Sequence, residues 1–163
     1  ASHFNAVIAE SLEQLTKAGI WILHAFGGKN ETPAAQHGYL PVPYIDRMDL
    51  AYAAADLAVT RAGAMTCAEL SAVGLPAIYV PLPIGNGEQR LNALPIVEAG
   101  GGLIVDDADF DTDWLVNATT HLLGDEGELA IMGTAAAGLG IRDADAQLAR
   151  FVLDVAAKHG ASA

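Results

Sequence analysis

Thr66 and Glu69 stand three residues apart in the run Asp56-Leu-Ala-Val-Thr-Arg61-Ala-Gly63-Ala-Met-Thr66-Cys-Ala-Glu69-Leu70. At that spacing a hydroxyl and a carboxylate share one helix face. The run reads as a buried strand, a tight glycine turn at Gly63 and the first turns of a helix. Such a turn aims backbone N–H groups and the positive end of a helix at whatever lies above the strand, which is how α/β proteins hold phosphate. Thr66 would add a hydroxyl donor. Glu69 suits a vicinal diol, because each carboxylate oxygen can accept one O–H. The same spacing also spells a capping box, with both side chains bonded to the helix's own free N–H groups. On local spacing alone the capping box stands slightly ahead.

A second group lies at Gly85-Asn86-Gly87-Glu88-Gln89-Arg90-Leu91-Asn92. Two glycines frame a loop that runs into a helix, and Glu88, Gln89 and Asn92 fall together on its first turns at i, i+3 and i+4 spacings. Carboxylate and amide groups can read sugar hydroxyls, each of which both donates and accepts. The plain alternative is a solvated helix start, with Glu88 complementing the dipole. Arg61, at the end of an apolar run, either meets phosphate or pairs with one of 20 acidic residues; the ion pair stands at least level. The five histidines, His3, His24, His37, His121 and His159, show no metal-ligand spacing and no nucleophile partner. No metal and no cofactor is therefore expected, and Cys67 reads as buried filler.

Composition narrows the partners. A net charge of −12 over 163 residues argues against a nucleic-acid surface, which needs clustered Lys and Arg. It equally argues against electrostatic binding of anionic lipid by this segment. An acidic domain that binds an anion must do so through helix N-termini, oriented amides or a single Arg. One cysteine permits no internal disulfide, which suits a reducing compartment. No apolar run approaches the roughly 20 residues of a membrane span, and the first residues read as a helix rather than a signal peptide.

These groups need elements to place them. Phe4, Val7, Ile8, Leu12 and Leu15 form one helical stripe, stopped by Gly19. Strands are expected over Ile20–Ala25, Leu57–Thr60, Pro76–Val80 and Gly102–Val105, with a short or edge strand over Leu40–Ile45 because of its prolines. Helices are expected over Met48–Ala55, Met65–Val73, Glu88–Ala99 with a kink at Pro95, Trp114–Leu123, Glu126–Leu139 and Ala144–Lys158. Short apolar strands alternating with helices predict an α/β fold, a parallel sheet with helices on both faces, in one domain over residues 1–163. Ligands of such sheets sit beyond the carboxyl ends of the strands, the edge that holds Gly27, Tyr44-Ile45, Arg61–Gly63 and Pro81–Gly87. A doubly wound domain normally opens on a strand, whereas this chain opens on a helix, so the first strand is expected to lie before Ala1, its absence exposing unpaired edges.

The Asp56–Glu69 run, then Gly74-Leu-Pro76-Ala-Ile-Tyr-Val-Pro81, then Glu88-Gln89-Arg-Leu-Asn92-Ala-Leu-Pro95, together resemble the carboxy-terminal half of the MurG family, from about Ser2 to the last helix. Ala1-Ser2-His3-Phe4-Asn5 is similar to the continuation of that half's glycine-rich first turn. The resemblance implies one Rossmann-like half of a GT-B glycosyltransferase, a hexosyltransferase that moves GlcNAc from UDP-GlcNAc to the muramyl 4-hydroxyl of lipid I, with inversion, to give lipid II in peptidoglycan synthesis. It implies that Ile45 meets the uracil through its backbone and that Arg61 sits near the nucleotide. Gly63, Ala64, Met65 and Thr66 would line the diphosphate, Glu69 would hold the ribose, and Glu88, Gln89 and Asn92 would read the sugar.

Glu88 departs from the Gln of many relatives and can accept but not donate. The loop Pro83–Gly87 replaces one rich in Lys or Gln, so those contacts do not carry over. The resemblance further places the general base, the lipid I contact and membrane attachment in an absent amino-terminal half, on a cytoplasmic protein peripheral to the inner face of the plasma membrane. This segment would then bind donor without catalysing alone. Other assignments of the same residues are a stand-alone donor subunit of a two-chain GlcNAc transferase, a UDP-GlcNAc 2-epimerase whose catalytic groups find no place here, and a non-catalytic α/β binding module.

Overall fold

The computed structural model describes residues 2–28 and 30–160, except the side chains of residues 159 and 160. Ala1, the first residue of the expected glycine-turn continuation, lies outside them, as do Lys29, the first residue of the expected loop, and the end of the 1–163 domain. Five short strands alternate with seven helices among the described residues: α1 Ser2–Lys17, β1 Ile22–Ala25, β2 Tyr39–Val42, α2 Met48–Ala54, β3 Ala58–Thr60, α3 Ala64–Val73, β4 Ala77–Tyr79, α4 Glu88–Glu98, β5 Gly102–Ile104, α5 Thr112–Leu123, α6 Glu126–Ala137 and α7 Ala144–Gly160. All pairings between these strands are parallel. No helix among the described residues is long and apolar enough to cross a membrane.

The two-residue period of β4 creates the two sides of the core. Ile78 and Val80 face a cluster with Val7, Ile8 and Leu15 of α1, Phe110, Leu115 and Leu122 of α5, and Met132 of α6. Ala77 and Tyr79 face the opposite cluster, with Cys67 and Leu70 of α3 and Ala93 and Ile96 of α4. Helices therefore cover both faces, as expected. The predicted α1 stripe places Val7, Ile8 and Leu15 in that core, and Gly19 turns the chain with φ +82°.

Several boundaries move for local reasons. β2 stops at Val42, short of the expected Ile45, because Pro43 has no N–H to give the ladder. β1 starts at Ile22, two residues late, and leaves Trp21 73% exposed. α5 starts two residues before Trp114 because Asp111 accepts from the Trp114 N–H at 2.8 Å. α4 runs through Pro95 without interruption.

The strands form two sheets, β1–β2 and β3–β4–β5, with no hydrogen-bonded pairing between β1 and β3, which leaves unpaired edges, as expected. The first sheet is held from below by a buried polar chain. Asn5 Nδ2 donates to Phe26 O at 3.1 Å, which turns Asn5 Oδ1 toward His24 Nε2 at 3.2 Å. Nε2 must therefore donate, leaving Nδ1 to accept from Tyr39 Oη at 3.1 Å. His24 is thus a neutral brace, and burial pushes its pKa down from 6.5.

The second sheet is tied at its carboxyl edge by Arg61. Its Nη1 donates to Asp107 Oδ1 at 2.5 Å, to Val80 O at 3.1 Å and to Pro81 O at 3.4 Å. The guanidinium also lies 5.1 Å from the centre of the Phe4 ring.

Two outcomes follow. Arg61→Ala strands Asp107 and two carbonyls in a part-buried site, so urea unfolding should show a loss of about 2–3 kcal/mol, toward the low end for broken buried pairs. For His24, the unfolded chain binds the proton more tightly than the folded one. Its contribution is complete above pH 6.5 and erodes as pH falls below it. The unfolding midpoint should drop between about pH 7.5 and about pH 5, and His24→Gln should flatten that slope.

Candidate functional site

Because the sheet is parallel, β3, β4 and β5 all end on one edge, and the starts of α3 and α4 open onto it. The two helices begin differently from α5 and α6. Asp111 and Asp125 cap α5 and α6 through their side chains. α3 and α4 begin instead at Gly63 and Gly87, with no side-chain cap. The first backbone bond into α3 runs from Cys67 N to Gly63 O at 2.9 Å. The N–H groups of Ala64, Met65 and Thr66 are thus the free donors that every helix start leaves.

This geometry overturns the capping box. Gly63 is the N-cap, so Thr66 sits inside the helix, and neither Thr66 nor Glu69 bonds a first-turn N–H. Glu69 is exposed, and its Oε2 accepts from Tyr52 Oη at 2.8 Å. Tyr52 was hidden in the sequence as one residue of α2; its helical position toward the core was the available signal.

Nothing in the fold demands glycine at 63. Its φ is −64°, and an added Cβ would meet only Thr66 Oγ1, at 3.7 Å. That contrasts with Gly74, whose φ of +74° closes α3 in the left-handed region that glycine enters freely.

The second group is brought to the same rim. Asn92 Nδ2 donates to Ala62 O at 3.1 Å, tying α4 to the turn before α3. Gln89 Oε1 accepts from Leu82 N at 3.0 Å, fixing the start of the 82–87 loop. These bonds assign the amide orientations. Asn92 is left with its carbonyl oxygen and Gln89 with its NH2, one acceptor and one donor. Glu88 is exposed at the helix start. Ile45 is half-buried in the segment between β2 and α2, away from any strand ladder.

Arg61 takes the ion-pair alternative, since Asp107 is its partner. Arg90, next to Gln89, pairs with Asp106 at 2.6 Å. The loop after β5 thus holds both arginines of this edge, a link that sequence could offer only as acidic residues following a strand. The concavity lined by Asp56, Gly74, Pro76, Glu126 and Gly133 lies at the opposite edge, before β3 and β4, and contains none of the candidate residues.

Comparison with known proteins fits this arrangement. The family model described as "Glycosyltransferase family 28 C-terminal domain" matches residues 1–148. A protein of Streptomyces avermitilis named UDP-N-acetylglucosamine--N-acetylmuramyl-(pentapeptide) pyrophosphoryl-undecaprenol N-acetylglucosamine transferase is 55% identical, covering 98% of this chain and 46% of the relative. A like-named protein of Streptomyces coelicolor is 56% identical over 96% of this chain and 44% of its own length. The crystal structure of Acinetobacter baumannii MurG superposes with a TM-score of 0.64 at 27% identity, covering 71% of this chain and 35% of that one. The chain spans less than half the length of these relatives. An uncapped glycine start on α3, the acceptor Glu69 beside it and the amides of α4 on one parallel-sheet edge thus occur in a chain that belongs to the glycosyltransferase family 28 C-terminal domain family.

Proposed function

We propose that this chain is the donor-holding half of an inverting transferase that moves GlcNAc from UDP-GlcNAc to lipid I, giving lipid II. The observation that carries this is the uncapped start of α3, open at the rim that also presents Glu69, Gln89 and Asn92. The diphosphate would lie on the N–H groups of Ala64, Met65 and Thr66, against Gly63. Glu69 would accept from the ribose diol, Ile45 would meet the uracil through its backbone, and Arg61 would stay beside the nucleotide as part of the rim. Asn92 would accept from a sugar hydroxyl, Gln89 would donate to one, and Glu88 would accept. Negative charge grows on the leaving diphosphate in the transition state, so donors already aimed there would lower the barrier as well as bind.

The base that deprotonates the acceptor, the lipid I contact and the membrane attachment would belong to protein outside residues 1–163, placing the whole enzyme on the inner face of the plasma membrane. In a doubly wound fold of strand order 3-2-1-4-5-6, a strand entering α1 would pair with both β1 and β3, which are not paired with each other here.

Titration calorimetry with UDP-GlcNAc tests the donor site. Glu69→Ala should weaken binding by about 1–3 kcal/mol, and equal affinities would remove Glu69 from the site. Gly63→Ala separates ligand from fold: stability should change by less than about 1 kcal/mol, while a methyl set against the diphosphate should cut affinity at least about tenfold.

A further inference from the structure

Tyr52 has a place in the molecule that its own helix does not explain. α2 buries none of its residues completely. Tyr52 nevertheless lays its ring against the cluster of Ala62, Cys67, Leu70 and Tyr79. Its hydroxyl then reaches out of that cluster and donates to Glu69 Oε2 at 2.8 Å. Burial first, and the Glu69 carboxylate second, push the Tyr52 phenol upward, so it stays a donor through the neutral range.

The Glu69 carboxylate makes no other hydrogen bond among the described residues. An exposed glutamate samples several rotamers, and ordering it on a ligand opposes binding. One hydrogen bond from a core-anchored ring removes that freedom in advance. It occupies a single lone pair of Oε2, and the rest of the carboxylate remains able to accept two hydroxyls.

We propose that Tyr52 is a positioning residue for the ribose: it holds the Glu69 carboxylate in the rotamer that accepts the vicinal diol. Ribose recognition on α3 is thereby set from α2, the helix that follows the Ile45 segment. The base-contacting segment and the diol-contacting residue are thus mechanically joined. This rests on the reading of Glu69 as the ribose acceptor. It predicts that Tyr52 contributes to the discrimination of ribose from deoxyribose without touching the ligand.

The intact protein carrying this chain is titrated calorimetrically with UDP-GlcNAc and with its 2′-deoxyribose analogue, as wild type, Tyr52→Phe, Glu69→Gln and the double variant. The positioning role is supported if Tyr52→Phe weakens UDP-GlcNAc about tenfold, changes the deoxy analogue less than about twofold, and adds nothing on the Glu69→Gln background. Equal losses for both ligands, or a full loss that persists without the Glu69 carboxylate, overturn it and leave Tyr52 a packing residue, a role that thermal melts of the same variants would register. If Glu69→Gln leaves both affinities unchanged while UDP-GlcNAc still binds, the diol role of Glu69 fails and the inference falls with it. Failure of the wild-type protein to bind UDP-GlcNAc overturns the donor site as a whole.

Discussion

Arg61 is the one guanidinium around which the carboxyl edge of the sheet is assembled. It leaves the end of β3, takes the carbonyls of Val80 and Pro81 after β4, and closes on Asp107 after β5. Three strand ends that hydrogen-bond only along short ladders thereby acquire a common tether. The side chains of Arg61 and Asp107 are about one-fifth exposed, 22% and 18%, so water screens the pair less than it screens the surface pairs of this chain. In a chain of net charge −12, the pair neutralises one carboxylate at the edge of the proposed donor site. Next to this tether the chain turns at Ala62, fully buried, and enters α3. Asn92 of α4 is tied to that same turn through Ala62 O.

The helices divide by how their first turns are satisfied. α5 and α6 satisfy theirs with their own aspartates and lie in the layer that buries Leu115, Leu122 and Met132. α3 and α4 have glycine at that position and, like α2, no side-chain cap, so their first-turn N–H groups lack a side-chain acceptor. A capping aspartate at position 63 would stabilise α3 and put a carboxylate at the proposed diphosphate position. Omitting the cap forgoes some helix stability at the rim, the trade expected of a site that works through unsatisfied backbone groups. The amides of α4 serve two purposes at once. Each spends one end of its amide on a neighbouring segment, Gln89 on Leu82 N and Asn92 on Ala62 O, which leaves the other end without a bond to the described residues.

Membership of the glycosyltransferase family 28 C-terminal domain family and the break between β1 and β3 bear on each other. Two parallel sheets with unpaired edges do not satisfy their backbone groups from within. What joins them among the described residues is packing: α1 buries Val7, Ile8 and Leu15 against Ile78 and Val80 of the second sheet, while its Asn5 carries the polar chain to His24 and Phe26 of the first. One helix holds the halves in register.

Much of this was legible in the sequence because it is local. The alternation of apolar strands and helices, the glycine stops at 19 and 74, and the collection of Arg61–Glu69 and Glu88–Asn92 at one sheet edge follow from period and turn chemistry, which depend on neighbours a few residues away. The motifs were specific enough in combination to point to the family. What the sequence left open was partner choice. Thr66 and Glu69 satisfied the spacing of a capping box, and only the start of α3 at Ala64 ruled it out. Arg61 faced 20 acidic residues, and only the approach of the β5–α5 loop selected Asp107. Tyr52 gave no sign of reaching Glu69, 17 residues away. The unpaired strand edges were expected, but the split into two sheets was legible only in outline, since strand pairing depends on which edges meet in space. Local backbone preference is written residue by residue, whereas a side chain's partner is decided by distances that exist only once the layers have packed.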